Sequence, residues 1–132
     1  MLNVDETVPL ADAGVWTNFD GSDLLIAHSS NLRFQRTFTR LHQPHRKRID
    51  NGTLDPKLGK ELMCKAMADG LLIDWKNVVD GKGVDVPYSQ DMAFKLLMNN
   101  HELREYVSDF SANLSNFRQE AVEELGNDSA SG

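Results

Sequence analysis

The sequence is poor in the features that mark secreted, membrane-spanning or catalytic proteins. Its 132 residues contain one cysteine, Cys64, which excludes an internal disulfide and favours a reducing compartment. Its uninterrupted apolar runs are far shorter than the roughly 20 residues that span a bilayer. The N-terminus lacks a basic leader followed by an apolar run, so we expect no secretion signal. The sequence therefore predicts a soluble, intracellular protein with a single folded domain.

Charge of one sign is missing from each of two segments. The net charge is −6, yet residues 33–48 contain no acid, and no base follows Arg118. Opposite charges in separated segments favour head-to-tail self-association or docking to an acidic partner; the alternative is that both segments are solvated surfaces. The residues assigned to this patch are Arg33, Arg36, Arg40, Glu120, Glu123 and Glu124.

The N-terminal part of the chain predicts a tail and a β-hairpin. Residues 1–13 lack periodicity and contain Pro9, so we expect a flexible tail. The β-prone runs 15–19 and 24–27 flank Asp20-Gly21-Ser22, and an Asp-Gly pair between such runs favours a hairpin turn. An isolated hairpin is marginal in water, so helices must pack on it.

The first predicted helix begins near Asn31, where Ser29 or Ser30 supplies the N-cap oxygen. It should end or kink just before Pro44, which cannot continue a helix, and residues 45–49 add a further turn. One side of this helix holds Phe34, Phe38 and Leu41, and the other side holds Arg33, Arg36 and Arg40.

The second predicted helix begins at Pro56, with Asp55 as its N-cap. We expect Gly70 to weaken it without ending it, so that the helical segment closes at Trp75 and Val78. Its predicted apolar stripe is Leu58, Leu62, Ala66 and Ile73, flanked by Met63 and Leu72.

Two more helices complete the predicted domain. Ser89 caps the third, and Asn99-Asn100 separates it from a last helix over 101–125 that Gly126 ends. Apolar residues recur on the last helix at spacings of four and three: Leu103, Val107, Phe110, Leu114, Phe117 and Ala121. This stripe either packs on the core of its own domain or remains available to a partner helix. The residues proposed for partner binding are Phe110, Leu114 and Phe117. Residues 14–126 then form one globular domain, and 127–132 form a flexible tail.

Candidate chemical motifs are weak. His42 and His45 lack a nearby third metal ligand, and Cys64 lacks a nucleophile signature despite neighbouring lysines. The segment 80–83 (Asp-Gly-Lys-Gly) is far from a complete phosphate-binding loop and predicts a turn. We therefore expect no enzymatic activity, no cofactor and no metal.

The order of the elements resembles the small tail assembly chaperones of long-tailed bacteriophages and prophages. The segments that carry the resemblance are Phe19-Asp20-Gly21, Asn31-Leu32-Arg33-Phe34-Gln35, Arg46-Lys47-Arg48-Ile49, Asn51-Gly52-Thr53-Leu54, Leu72-Ile73-Asp74-Trp75-Lys76-Asn77-Val78, a glycine turn, Val86-Pro87-Tyr88-Ser89 and the final amphipathic helix.

The resemblance implies a non-enzymatic protein of the host cytoplasm that is absent from the finished virion. Such a protein binds the long helical tape measure protein before the tail tube polymerises around it. The resemblance also implies a longer, frameshifted form of the same protein, and the opposite charges of the two segments favour weak homo-oligomers. We expect no membrane association.

The predicted fold is α+β and mainly α-helical, with a short N-terminal β-hairpin packed on about four helices. The predicted function is that of a phage tail assembly chaperone. One alternative is a small DNA-binding regulator that uses the basic segment 33–48, which the acidic pI of about 5.1 disfavours. Another is a head–tail structural subunit.

Overall fold

A computed structural model describes residues 3–5 and 8–118. The elements follow in the order α1 (Leu10–Ala13), β1 (Val15–Phe19), β2 (Ser22–Ile26), α2 (Leu32–His42), α3 (Arg46–Asp50), α4 (Pro56–Gly70), β3 (Leu72–Lys76), α5 (Gln90–Asn99) and α6 (His101–Ala112). Short 3₁₀ turns over Gln43–His45 and Leu114–Phe117 follow α2 and α6.

The strands form an antiparallel sheet in the order β1, β2, β3. Asp20 and Gly21 connect β1 to β2 with φ angles of 52° and 84°, the left-handed geometry that an Asp-Gly pair accepts readily. The predicted hairpin is confirmed. One face of the sheet supplies the buried residues Val15, Leu24, Ile26 and Leu72 to the core.

Strand β3 corrects the sequence analysis, which carried the second helix through Leu72 and Ile73. Helix α4 ends at Gly70, and the chain then pairs with β2. The Leu71 carbonyl already accepts a hydrogen bond from the Ala27 amide, at 2.9 Å. Pairing with a strand about 50 residues earlier satisfies the backbone hydrogen-bonding groups as well as a helix would, and helical periodicity does not reveal such long-range partners.

Helices α2 and α4 approach each other closely at Gly70, where a Cβ atom would lie 2.5 Å from the Cα of Phe34. Asn31 fixes this junction. Its side chain accepts a hydrogen bond from the Phe34 amide (2.9 Å) and donates one to the Gly70 carbonyl (2.9 Å). The N-cap of α2 is therefore Asn31 rather than Ser29 or Ser30, because an amide side chain serves both helices at once.

Most other predicted helix boundaries are confirmed. Pro44 ends α2 in a 3₁₀ turn, after which α3 adds one short helix. Asp55 occupies the N-cap position of α4, although its side chain makes no capping hydrogen bond. Ser89 caps α5 by accepting from the Met92 amide. Asn100 separates α5 from α6 and caps α6.

The last helix is shorter than predicted. α6 ends at Ala112, where Asn113 turns the chain and accepts a hydrogen bond from the Ser115 amide at 3.1 Å. Phe117 then folds back into the core. The single stripe predicted from Leu103 onwards is therefore wrong beyond Ala112. Its continuation to 125 and the tail 127–132 lie outside the described residues.

The N-terminal segment also differs from the prediction of a tail over 1–13. Residues 10–13 form α1, Ala11 is buried, and Val8 and Leu10 pack against the core. The Ala11 carbonyl accepts a hydrogen bond from the His28 amide, at 2.9 Å. A short apolar segment is held here by contacts that periodicity does not signal.

The core lies between the sheet and helices α4, α5 and α6, and Phe117 closes one end of it. The fold is mainly helical α+β, as predicted, and the hairpin is extended by a third strand. Thr37 is the one residue of α2 that is classed as buried, so most of the outer surface of α2 faces solvent.

Candidate functional site

The outer side of α2 forms an open concave surface of about 650 Å³, which we call the α2 face. Its lining residues are Leu32, Gln35, Arg36, Thr39, Arg40, Gln43 and Pro44. Helical spacing explains the grouping, because residues three and four apart share one side of a helix. Phe34 and Phe38 lie half-buried on the other side, so α2 presents the predicted arginine stripe outward.

Leu32 gives the α2 face an apolar end. Its side chain is 62% exposed, the largest exposed fraction of any large apolar side chain between residues 8 and 118. The apolar periodicity of the sequence did not predict a role for this leucine. The signal that could have found it is its position four residues before Arg36 and eight before Arg40, on the polar side of an amphipathic helix.

The three predicted arginines have different surroundings. Arg33 is bound to Asp69 of α4, with the guanidinium nitrogen 3.0 Å from the carboxylate oxygen. Thr37 donates a further hydrogen bond to the second carboxylate oxygen. Within the described part of the chain, Arg36 and Arg40 form no ion pair. The structure thus separates Arg33, which braces α2 on α4, from two arginines on the α2 face.

The pKa of Asp69 reflects this arrangement. Burial acts to raise the pKa, but the hydrogen bonds from Arg33 and Thr37, together with the charges of Arg33 and Arg40, outweigh it. The net direction is a lowered pKa, so the carboxylate is charged at neutral pH. The same contact raises the pKa of Arg33.

The basic surface continues beyond α2. Arg46, Lys47 and Arg48 of α3 are all exposed, and no residue of α3 is buried. A second concavity of about 290 Å³ lies between α2 and α3, lined in part by Phe38, His42 and Ile49. The exposed surfaces of α2 and α3 together carry five cations outside any described ion pair, and this concentration of positive charge favours an acidic partner.

The predicted partner-binding residues of the last helix are not brought together on the surface. Phe110 and Phe117 are 9% and 0% exposed, and their rings pack edge to face at 5.7 Å. Leu114, at 38% exposure, is the exposed member of the three. The acidic members of the predicted patch, Glu120, Glu123 and Glu124, lie outside the described residues.

The weaker chemical candidates have structural explanations. Burial raises the pKa of the Cys64 thiol, which is fully buried on α4. The ring of His42 stacks on Phe38 at 3.9 Å, and its Nδ1 lies 2.7 Å from the Phe38 carbonyl. Asp80 accepts hydrogen bonds from the amides of Lys82 and Val84, which confirms the predicted turn.

Residues 3–5 and 8–118 contain no cluster of three or more His, Cys, Asp or Glu residues that could hold a metal ion. No helix in that same part of the chain is both long and apolar enough to cross a membrane.

Fold and surface together define a small, mainly helical α+β protein with an open basic face. A protein-family model described as YdaY prophage protein matches residues 28–127. The chain belongs to this family, and it is therefore a protein of phage or prophage origin. Comparisons with curated proteins and with solved structures found no match.

Proposed function

We propose that the protein is a tail assembly chaperone that binds the tape measure protein through the α2 face. The observation that carries the proposal is the combination of an exposed leucine with two arginines, both outside the ion pairs of residues 8–118, on one open, concave helix surface. Membership of a prophage family supports the phage setting.

The chemistry of the α2 face fits an amphipathic helix whose apolar ridge is flanked by acids. Leu32 and the aliphatic stems of Arg36 and Arg40 offer apolar contact, while the guanidinium groups lie at the rim. Tape measure proteins are long and helical, and they expose such stripes before the tube covers them. Many small copies with weak contacts could cover one long client.

The proposed role is binding rather than catalysis. The α2 face is lined by leucine, glutamine, threonine, arginine and proline, and these residues provide no nucleophile with an adjacent general base. We include in the proposal the host cytoplasm as the site of action, weak homo-oligomers and a longer frameshifted form.

Co-expression with the tape measure protein of the same prophage tests the proposal. The wild-type chain should raise the soluble fraction of that protein. Leu32→Glu should weaken binding about tenfold, because about 1.4 kcal/mol of apolar contact is removed. The matched control is Val84→Glu, which changes a 60% exposed residue on the loop after β3 and should bind normally.

A client that stays insoluble with the wild-type chain contradicts the proposal. Equal losses in both variants would place the contact elsewhere than on the α2 face. Recovery of the protein in purified virions would favour the head–tail structural alternative.

The exposed cations of α2 and α3 support a second candidate, a DNA-binding regulator. Arg36, Arg40, Arg46, Lys47 and Arg48 could contact phosphates, and such binding falls steeply with salt. Fluorescence anisotropy with a labelled duplex at 50 and 200 mM salt tests it. Submicromolar binding that is lost in Arg46→Glu/Arg48→Glu would favour the regulator over the chaperone.

A further inference from the structure

We propose that two copies of the chain dimerise by pairing their β1 strands antiparallel about a two-fold axis, which joins the two three-stranded sheets into one continuous sheet. The inference gives a surface to the weak homo-oligomers of the proposed function and rests on that part of it alone. The partner is a second copy of this chain, and the contact uses the free edge of β1 (Val15–Phe19).

β1 lies at one edge of the sheet, because the strand order is β1, β2, β3. The two-residue turn makes Phe19 and Ser22 a hydrogen-bonded pair, and such pairs alternate along an antiparallel ladder. The main-chain groups of Trp16 and Asn18 therefore point away from β2. Both residues are exposed, and none of the residues that the structure describes hydrogen-bonds to their main-chain N–H or C=O from that side.

The edge of β1 carries none of the features that usually prevent strand pairing, which are charges, proline and bulges. Its sequence, Val-Trp-Thr-Asn-Phe, has no charged residue and no proline, and its register with β2 is regular from Val15 to Phe19. Tyr106 holds the strand from the core side. Its hydroxyl lies 2.5 Å from Thr17 Oγ1, and its ring packs on Phe19 at 4.8 Å. A partner strand thus meets a preformed edge.

The opposite edge of the sheet, on β3, is blocked. The Leu72 carbonyl lies 2.8 Å from the Tyr88 hydroxyl. The Trp75 amide donates to the Asp74 carboxylate at 2.8 Å. β3 also carries the charges of Asp74 and Lys76 and a register irregularity against β2. Pairing of β1 with the β3 edge of another copy, which would build an open-ended array, is therefore disfavoured, whereas pairing of β1 with β1 closes after two copies.

One register of the β1 pair uses all the outward main-chain groups of both strands. With Thr17 of each copy at the two-fold axis, Trp16 of one copy lies opposite Asn18 of the other, and each such pair exchanges N–H···O=C hydrogen bonds in both directions. The neighbouring registers would instead pair Gly14 or Asp20, whose φ angles of 87° and 52° are not those of a strand. The strand is therefore complementary to itself in the Thr17-centred register.

The side chain of Trp16 adds an apolar contact to the paired edge. It lies on the outer face of the sheet at 37% exposure, where Lys76 Nζ is 4.5 Å from the ring centroid. In the Thr17-centred register the two Trp16 side chains are diagonal neighbours, a separation that aromatic side chains bridge. Because the contact otherwise consists of a few main-chain hydrogen bonds, we expect a dissociation constant between about 10 µM and about 1 mM.

Sedimentation equilibrium of the full-length protein tests dimerisation. The mass should rise from 14.8 kDa towards twice that value as the concentration is raised from about 10 µM to about 1 mM. Amide hydrogen exchange at both concentrations identifies the contact. The Trp16 and Asn18 amides should exchange about two- to sevenfold more slowly at the higher concentration, in proportion to the fall in the monomer fraction. The Thr17 amide faces β2 and should be protected already at the lower concentration.

Two variants separate the main-chain contact from the side chain of Trp16. Trp16→Pro removes the outward N–H without removing a hydrogen bond between β1 and β2, and it should leave the protein monomeric over the same concentrations. The matched control Trp16→Ala removes the ring but keeps the N–H, and it should weaken dimerisation by about tenfold at most. Urea unfolding checks that both variants fold. The exchange measurement on the wild-type protein decides the question if Trp16→Pro does not.

A protein that stays monomeric up to about 1 mM overturns the inference. A dimer in which the Trp16 and Asn18 amides exchange equally fast at both concentrations also overturns it, because another surface then forms the contact. Masses above that of a dimer would mean open-ended association and would contradict the two-fold pairing. No client is present in these measurements, so each of these results leaves the co-expression test of the α2 face unaffected.

Discussion

Asp69 divides the basic side of α2 into one arginine held in an ion pair and two arginines outside the described ion pairs. By binding both Arg33 and Thr37 it braces the middle of α2 against α4, and it leaves Arg36 and Arg40 on the outer face. In the sequence the three arginines look equivalent, because spacing reports the side of a helix but not the partner across an interface. Which arginines the α2 face presents thus depends on Asp69, an acid 29 residues beyond Arg40.

Replacement of Asp69 by Asn should destabilise the protein by about 1–2 kcal/mol at pH 7, since the ion pair and charge-assisted hydrogen bonds are lost from a site that is mostly buried. The folded pKa of Asp69 is lowered, so this stabilisation is complete above the unfolded pKa and is lost as pH falls through the folded pKa. The difference in urea unfolding between the two proteins should therefore shrink progressively as the pH falls below about 4. A constant difference down to pH 2 would contradict the assignment.

Phe117 and Leu114 should respond differently to truncation. Phe117→Ala should cost about 3–5 kcal/mol because the ring is fully buried, whereas Leu114→Ala should cost under about 1 kcal/mol. Thermal unfolding measures both. Similar small costs would mean that Phe117 is not part of the core in solution and would return it to the surface stripe expected from the sequence.

At the scale of elements, the contact between α2 and α4 depends on the absence of a side chain at Gly70. Gly70→Ala should destabilise the protein by about 1–3 kcal/mol, because the new Cβ would clash with backbone atoms of Phe34 that cannot move freely. The matched control in the same helix is Gly59→Ala. Its nearest neighbour is Leu54 Cδ2, at 3.5 Å, so the change should stabilise by up to about 1 kcal/mol.

Chemical denaturation of the two alanine variants compares these effects directly. Stabilisation by both substitutions would contradict a close backbone approach at Gly70.

The elements show which features a single sequence reveals. Local signals were sufficient for the hairpin turn at Asp20-Gly21, the break at Pro44 and the cap at Ser89, because each depends on the residue's own backbone preferences. β3 and the fold-back at Phe117 were missed because both are fixed by distant partners. The arginines on the α2 face were predicted from the sequence. That Arg33 is instead held in an ion pair could not be predicted, because its partner, Asp69, lies on another helix.

At the scale of the whole molecule, sheet and helices share one set of buried residues. Trp75 of β3 packs edge to face on Tyr88 at 5.1 Å, and its indole nitrogen donates to the Val86 carbonyl at 2.8 Å. The hydroxyl of Tyr88 in turn lies 2.8 Å from the carbonyl of Leu72 in β3 and 3.2 Å from the carbonyl of Ala68 in α4, and so links the strand to the helix. Loss of helix packing should therefore disturb the strand that carries Trp75.

We expect a single cooperative unfolding transition. Helix content followed by far-UV circular dichroism and tryptophan fluorescence should give coincident urea curves, as for a one-domain protein. Trp75 is 5% exposed, so its fluorescence reports on the core, whereas Trp16 is 37% exposed. The substitution Trp16→Phe removes the fluorescence of Trp16 and leaves that of Trp75. Two separate transitions would contradict the single domain predicted over residues 14–126.

The backbone contact at Gly70 also has a kinetic consequence. Because no flexible side chain separates α2 from α4 there, the α2 face should keep its shape when a ligand arrives or leaves. Binding to such a preformed surface needs no refolding step, so the lifetime of a complex is governed by its contacts alone. For the proposed chaperone, whose contacts with each client segment are weak, this means brief residence, so that copies are released one after another as a growing tube reaches them.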